Sequence, residues 1–147
     1  MQFERLTPEY LNAAVALEAQ LQMGPVPESQ FVKAMHSQQA WMCTEEGVLL
    51  GYLVGSSVVD EASILCVGVA LNARRRGIAK RLLQMAEAHW AEKDMASIFL
   101  EVRASNHAAI AAYEQADYVQ VGERPNYYPL PGGGREPAVI MACQLRM

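Results

Sequence analysis

Five cations, Arg74, Arg75, Arg76, Lys80 and Arg81, surround the small residues Gly77 and Ala79 directly after the apolar run from Ala62 to Ala70. A helix that opens straight after a strand presents N–H groups with no partner and a partial positive charge, and small residues let an anion approach that backbone closely. Anion binding follows, but an ordinary basic helix start, in which Gly77 only eases the turn, fits the same residues. Neither Gly-x-x-x-x-Gly-Lys-Ser/Thr nor Gly-x-Gly-x-x-Gly occurs here, so ATP-type and dinucleotide loops fit poorly. Two other groups could move protons. Glu101 closes the run Ile98-Phe99-Leu100 and reads either as a general base or as a solvated strand-end acid beside Arg103. Tyr113 lies seven residues after Asn106, two helical turns along, so it shares a face with that residue; it reads as a proton donor or as a packing residue beside Ile110 and Ala116.

Other reactive types carry less. His36, His89 and His107 have no Ser or Cys in a nucleophile setting beside them and read as surface or capping residues. Cys43, Cys66 and Cys143 are odd in number, widely spaced and set in apolar stretches, which predicts buried reduced thiols rather than a disulfide framework or a metal site. The formal charge of -4 argues against generic nucleic-acid binding. Because five of the twelve basic residues sit in the one cluster, seven cations face sixteen acids on the rest of the chain. A small anion site on an acidic body is the expected arrangement.

The elements that must hold these groups are legible from period and punctuation. With 147 residues, 52% apolar and 19% charged, the chain is expected to be a single domain over 1–147 with one core. No apolar run approaches the ~18 residues of a membrane helix, and Met1 to Arg5 lacks a secretory pattern, so a cytoplasmic protein with no membrane partner is expected. Helices are predicted over Pro8 to Gln22, with Thr7 as N-cap, and over Glu28 to His36. Ala40 to Thr44, Val48 to Val59 and Ala62 to Ala70 read as three strands joined by tight turns, hence antiparallel. Ile78, Leu82, Leu83, Ala86 and Trp90 recur at helical spacing, which predicts a helix from about Arg76 to Lys93. A strand from Ser97 to Val102, a helix from His107 to Ala116 capped by Asn106, and strands over Tyr118 to Arg124 and Ala138 to Leu145 follow. The fold class is therefore α/β, antiparallel first and mixed later, with the Ala62 and Ser97 strands side by side and parallel through a right-handed crossover. Pro125 to Glu136 is expected to be a long functional loop.

Arg74-x-x-Gly77-x-Ala79 after an apolar strand resembles the acetyl-CoA pyrophosphate motif of the GNAT acetyltransferases, Arg/Gln-x-x-Gly-x-Gly/Ala. The likeness extends through Leu100-Glu101-Val102-Arg103-Ala104-Ser105-Asn106, Ala112-Tyr113-Glu114, Asn126-Tyr127-Tyr128-Pro129 and Gly134-Arg135-Glu136. Together these resemble the RimI-like ribosomal-protein-alanine N-acetyltransferases from about Asp60 onward, whereas the N-terminal third matches by layout. Departures are Ala79 for a frequent second Gly, Val67-Gly68-Val69 for a more usual Ile-Ala-Val, and Tyr118 for a common Phe. The resemblance implies a GNAT fold, with about six or seven strands and about four helices, whose central parallel strands splay. It implies acetyl-CoA as cosubstrate and no metal. The thioester arm would pair with backbone of Val67, Gly68 and Val69, and amides from Arg75, Arg76, Gly77, Ile78, Ala79 and Lys80 would hold the pyrophosphate. Arg75, Arg76, Lys80 and Arg81 are candidates for the outer phosphate, and Asn106 for a further cosubstrate contact.

The same resemblance makes Glu101 the base and Tyr113 the acid of an amine acetylation. An α-amine of pKa ~7.7 to 8.0 is roughly a quarter neutral near pH 7.4, whereas a lysine at ~10.4 is neutral in about one part in a thousand. A terminal amine thus needs only a weak base, and a phenol of pKa ~10 can still protonate a thiolate of ~8.5. The implied acceptor is the N-terminal alanine of a small-subunit ribosomal protein with a basic start, clamped by Tyr127 and Tyr128, with no direct nucleic-acid contact. Two rivals share the cosubstrate residues: acetylation of small-molecule amines, and a catalytically idle acetyl-CoA-binding module.

Overall fold

The computed structural model describes residues 1–146. In chain order its elements are β1 (Gln2–Arg5), α1 (Pro8–Leu21), α2 (Glu28–His36), β2 (Ala40–Glu45), β3 (Val48–Val58), β4 (Glu61–Val69), α3 (Ile78–Glu92), β5 (Ser97–Arg103), α4 (His107–Gln115), β6 (Val119–Pro129) and β7 (Arg135–Gln144). The seven strands form one sheet in the order β1-β2-β3-β4-β5-β7-β6, antiparallel throughout except for the parallel pair β4–β5.

Both faces of the sheet are covered, which is why β2 and β3 read as continuous apolar runs rather than as alternating ones. Ala40, Met42, Tyr52 and Val54 pack on one face with Ala14 of α1 and Phe31 of α2. Trp41, Cys43 and Leu53 alternate to the other face and meet the α3 stripe of Ile78, Leu82, Leu83, Ala86 and Trp90. That stripe is the one the helical period predicts, and all five residues are buried. Asn106 caps α4 as expected, its Oδ1 accepting from the Ala109 N–H at 3.1 Å. Thr7 makes no side-chain cap bond, and α1 starts on Pro8 at its first turn.

One strand was not anticipated, and two expectations need correction. β1 has no sequence signature because it is four residues long and mostly exposed, and it is specified by pairing with β2 from Gln2↔Thr44 to Arg5↔Trp41. Helix α3 begins at Ile78 rather than Arg76, since Arg75 (φ 66) and Gly77 (φ 76) are both left-handed and turn the chain before the helix can start. The long loop over Pro125 to Glu136 is mostly strand. β6 carries on to Pro129 and β7 starts at Arg135, because Pro125 and Asn126 (φ 52) are absorbed in an irregularity between Arg124 and Tyr128. Only Leu130 to Gly134 connect the strands, closed by the Leu130 N–H on the Gly134 carbonyl at 3.0 Å.

Candidate active site

The site grows from one interrupted strand pair. β4 and β5 pair from Glu61↔Ser97 to Ile64↔Leu100 and then part. Beyond that point β4 stays with β3 as far as Val69 and β5 stays with β7 as far as Arg103. The register of β4 against β3 shifts at Val54/Gly55, where Cys66 and Ile64 face successive β3 residues and Leu65 is the extra one. The backbone of Leu65 to Val69 thus faces the gap instead of β5, leaving polar groups that a ligand can satisfy.

A cavity of about 1260 Å³ opens at this gap. Its lining includes Val67, Gly68 and Val69 from β4, Arg75, Gly77, Ile78, Ala79 and Lys80 from the start of α3, and Asn106 and Tyr113 from α4. The first N–H groups of α3 and the cations Arg75 and Lys80 therefore border one end, where an anion is electrostatically favoured. A Cβ on Gly77 would meet nothing within 4 Å, so glycine is required there by its positive φ and not by crowding. Of the expected set, Arg76 and Arg81 are absent from the lining. The Arg76 guanidinium lies 2.8 Å from Glu45 of β2 and that of Arg81 over the Phe3 ring at 5.8 Å, while Arg74 lines the cavity, its Nε 3.4 Å from the Val69 carbonyl.

Gly68 departs from the more usual alanine for a reason visible beneath it. A Cβ there would lie 2.6 Å from Tyr52 Cζ and 2.8 Å from Leu21 Cδ1. Tyr52 cannot move aside, because its hydroxyl donates at 2.6 Å to Glu18, a carboxylate only 1% exposed that also accepts the Val26 N–H at 2.9 Å. Burial and this carboxylate push the Tyr52 phenol far up, and burial does the same to the Cys66 thiol. Cys66 is accordingly a poor nucleophile.

A second, smaller cavity of about 170 Å³ adjoins the first and shares Tyr113, Asn106 and Arg103 with it. Glu101, Glu18, Cys66 and Tyr128 line it. Ile98, Leu100 and Val102 of β5 point into the α3 core, so Glu101 alternates to the opposite face and reaches the gap from there. Tyr113 comes from α4, its ring edge-to-face on Tyr118 with centroids 5.7 Å apart. Burial pushes its phenol up to about 12. One gap thus borders a carboxylate, a phenol and an anion-attracting helix start. Tyr127 lines neither cavity: it is 42% exposed and packs edge-on against Tyr128, centroids 4.9 Å apart. The irregularity in β6 faces it outward.

Sequence reasoning missed three residues around this gap. Arg103 joins the chain segment after α1 to the β6–β7 tip. It donates to the carbonyls of Met23 and Pro129 at 2.9 Å each, pairs with Glu136 at 3.2 Å, and lies over the Tyr128 ring at 4.7 Å. Glu18 falls four residues after Ala14, on the buried face of α1; a charge in that stripe was the available signal. Arg124 holds Glu101 at 2.6 Å, where the alternative reading of Glu101 as a strand-end acid set Arg103 beside it, and nothing in the spacing indicates Arg124. Among the described residues, no cluster of three or more His, Cys, Asp or Glu is arranged to hold a metal ion, and no helix is long and apolar enough to cross a membrane.

A mixed sheet whose central parallel pair parts over a basic helix start is the arrangement that the resemblance to the GNAT acetyltransferases implies. Residues 5–118 match the acetyltransferase (GNAT) family, and the chain belongs to it. It is similar to the [ribosomal protein bS18]-alanine N-acetyltransferase of Escherichia coli (strain K12), at 33% identity over 138 residues, 93% of each chain. The crystal structure of the ribosomal-protein-S18-alanine N-acetyltransferase from Escherichia coli superimposes with a TM-score of 0.88 at 31% identity, covering 99% of this chain and 94% of that one. Naa20 of Chaetomium thermophilum, solved with a bisubstrate analogue, gives 0.84 at 26% identity over 98% and 86%.

Proposed function

We propose that the chain is an acetyl-CoA-dependent N-terminal acetyltransferase acting on the terminal alanine of a small-subunit ribosomal protein with a basic start. The parting of β4 from β5 beyond Ile64 and Leu100 carries this reading, because it leaves a strand edge between an anion-attracting helix start and a carboxylate–phenol pair. The residues fit acetyl-CoA as cosubstrate. The α3 N–H groups after Gly77, with Arg74, Arg75 and Lys80 beside them, suit a diphosphate. The free edge of Val67 to Val69 suits the amides of a pantetheine arm, and the Val69 N–H suits the thioester carbonyl as it gains negative charge.

Glu101 takes a proton from the ammonium through water, so the neutral nitrogen can attack the thioester carbon. A C–N bond forms and the C–S bond breaks. Tyr113 donates its hydrogen bond or its proton to the departing sulfur; the attacking nitrogen sheds its remaining surplus proton to water, and a phenolate left by full transfer is reprotonated from water. Asn106 adds a contact near the gap while capping α4, and Tyr128 borders the acceptor side. Similarity to enzymes named for bS18 alanine supports the acceptor. A steady-state assay with an alanine-initiated basic peptide tests the reading against an N-terminally blocked control. CoA release from the free peptide alone is expected; equal release from both removes terminal-amine chemistry. Competition by polyamines or aminoglycosides at lower concentration than the peptide favours the small-amine alternative, and binding of acetyl-CoA without turnover favours an idle module.

A further inference from the structure

Glu101 does not face the gap uncovered. Arg124 Nε lies 2.6 Å from Glu101 Oε1, the arginine side chain 57% exposed and the carboxylate 25%. Arg124 lines neither cavity, so the guanidinium reaches Glu101 from the rim. The irregularity in β6 explains how. Pairing with β7 runs to Arg124↔Ala138 and resumes at Tyr128↔Glu136, so three residues with no ladder partner follow Arg124. Tyr127, from that stretch, sits with its ring 5.7 Å from the Arg124 guanidinium. The Glu101 carboxylate in turn pushes the Tyr127 phenol above its usual range.

We infer that Arg124 is a positioning residue acting through Glu101: it occupies the carboxylate in the free protein and swings outward when the acceptor's ammonium group arrives, so that acceptor entry is an exchange of one cation for another. The inference rests on Glu101 serving the acceptor side in the proposed acetyl transfer. An ion pair with a half-exposed arginine is weak, so the exchange costs little. The displaced guanidinium keeps water and the Tyr127 ring as partners. Arg103, on the same strand as Glu101, is already committed to Glu136 and to two carbonyls. The remaining ionisable groups around the smaller cavity are phenols (Tyr113, Tyr128), a thiol (Cys66) and the carboxylate Glu18, none of which can replace the cation. An anionic or uncharged acceptor gains nothing from Glu101 when Arg124 leaves, which selects cationic amines.

The test uses the full chain with Arg124→Gln and Arg124→Lys, at saturating acetyl-CoA and with melting temperatures measured alongside. In Arg124→Gln the KM for an alanine-initiated peptide should fall about 2–5-fold, the size of an exposed ion pair, with the acetyl-CoA KM unchanged. Arg124→Lys should keep the wild-type value, and added methylguanidinium should raise the peptide KM of Arg124→Gln back toward it. An unchanged or higher peptide KM in Arg124→Gln, or a matching change in acetyl-CoA KM, overturns the inference. Calorimetric binding of the same peptide to the CoA-saturated chain reads the same exchange without turnover: tighter binding to Arg124→Gln supports it and equal or weaker binding overturns it. Absence of transfer by the unaltered chain would instead remove the acetyl-transfer reading, leaving this binding comparison to decide on Arg124.

Discussion

A phenol can serve a departing thiolate only while it keeps its proton. Burial raises the Tyr113 pKa to about 12, above its usual value, so the protonated form persists well past neutrality and is lost only as pH rises through that value. The sign matters, since a lowered pKa would have made Tyr113 a base. Tyr113→Phe removes the proton while keeping the ring against Tyr118, and should lower kcat by ~10²-fold with the acetyl-CoA KM unchanged. Wild-type turnover should show no alkaline fall below about pH 10 on account of this group; a fall that disappears in Tyr113→Phe would contradict the assignment. Glu101→Gln has a different signature. Its loss should be large near pH 6, where the α-amine is mostly protonated, and small near pH 9, where the amine is neutral without help. Ratios of kcat/KM at the two pH values check this, and an equal loss at both would return Glu101 to a purely structural role.

At the level of elements, the substitution of glycine for the more usual alanine at position 68 couples β4 to α1. Tyr52 fills the space of the missing Cβ, and Glu18 of α1 pins the Tyr52 hydroxyl. Gly68→Ala should therefore overpack a rigid site, costing about 1–3 kcal/mol, which for a chain of this size is roughly 2–4 °C of melting temperature per kcal/mol. An unchanged melting temperature would mean that Tyr52 can swing away from Glu18. How far such features were legible follows from what signals them. The bounds of α2 and the α3 stripe were readable because burial on one face leaves a helical period, and β2 to β4 because two-sided burial leaves unbroken apolar runs. The parting of β4 and β5 was expected from family resemblance alone; the extra residue Leu65 sits just beyond the last β4–β5 pair, and in a run that is apolar on both faces the change of phase it makes is not visible in the sequence. Arg74 rather than Arg76 turns to the cavity because Arg75 and Gly77 are left-handed, and two such residues rotate successive side chains in a way that spacing along a regular element does not describe. In β6, Pro125 and Asn126 read as loop residues because a strand irregularity uses the same residue types as a turn.

Over the whole molecule, the sheet behaves as two antiparallel blocks, β1 to β4 and β5-β7-β6, joined by the short parallel ladder from Glu61↔Ser97 to Ile64↔Leu100. The gap between the blocks carries an uneven field. Cations gather at the α3 end, where Arg74, Arg75 and Lys80 border the larger cavity. At the other end Arg103 and Arg124 are each paired, with Glu136 and Glu101, so they add little net positive charge. Outside the Arg74–Arg81 cluster the chain carries sixteen acids against seven cations, Arg103 and Arg124 among them. A peptide with arginines after its terminal alanine should then be drawn toward the acceptor end, and that attraction is screened by salt, with a Debye length of about 10 Å at 0.1 M. At saturating acetyl-CoA, kcat/KM for such a peptide should fall several-fold between about 50 and 500 mM salt, whereas a peptide starting with the same alanine but followed by uncharged residues should change little. Comparing the two slopes separates steering of the acceptor from any effect of salt on the phosphate end, which both peptides share. Parallel slopes would mean that the acidic surface does not guide the acceptor, and preference for a basic start would have to come from contacts inside the gap.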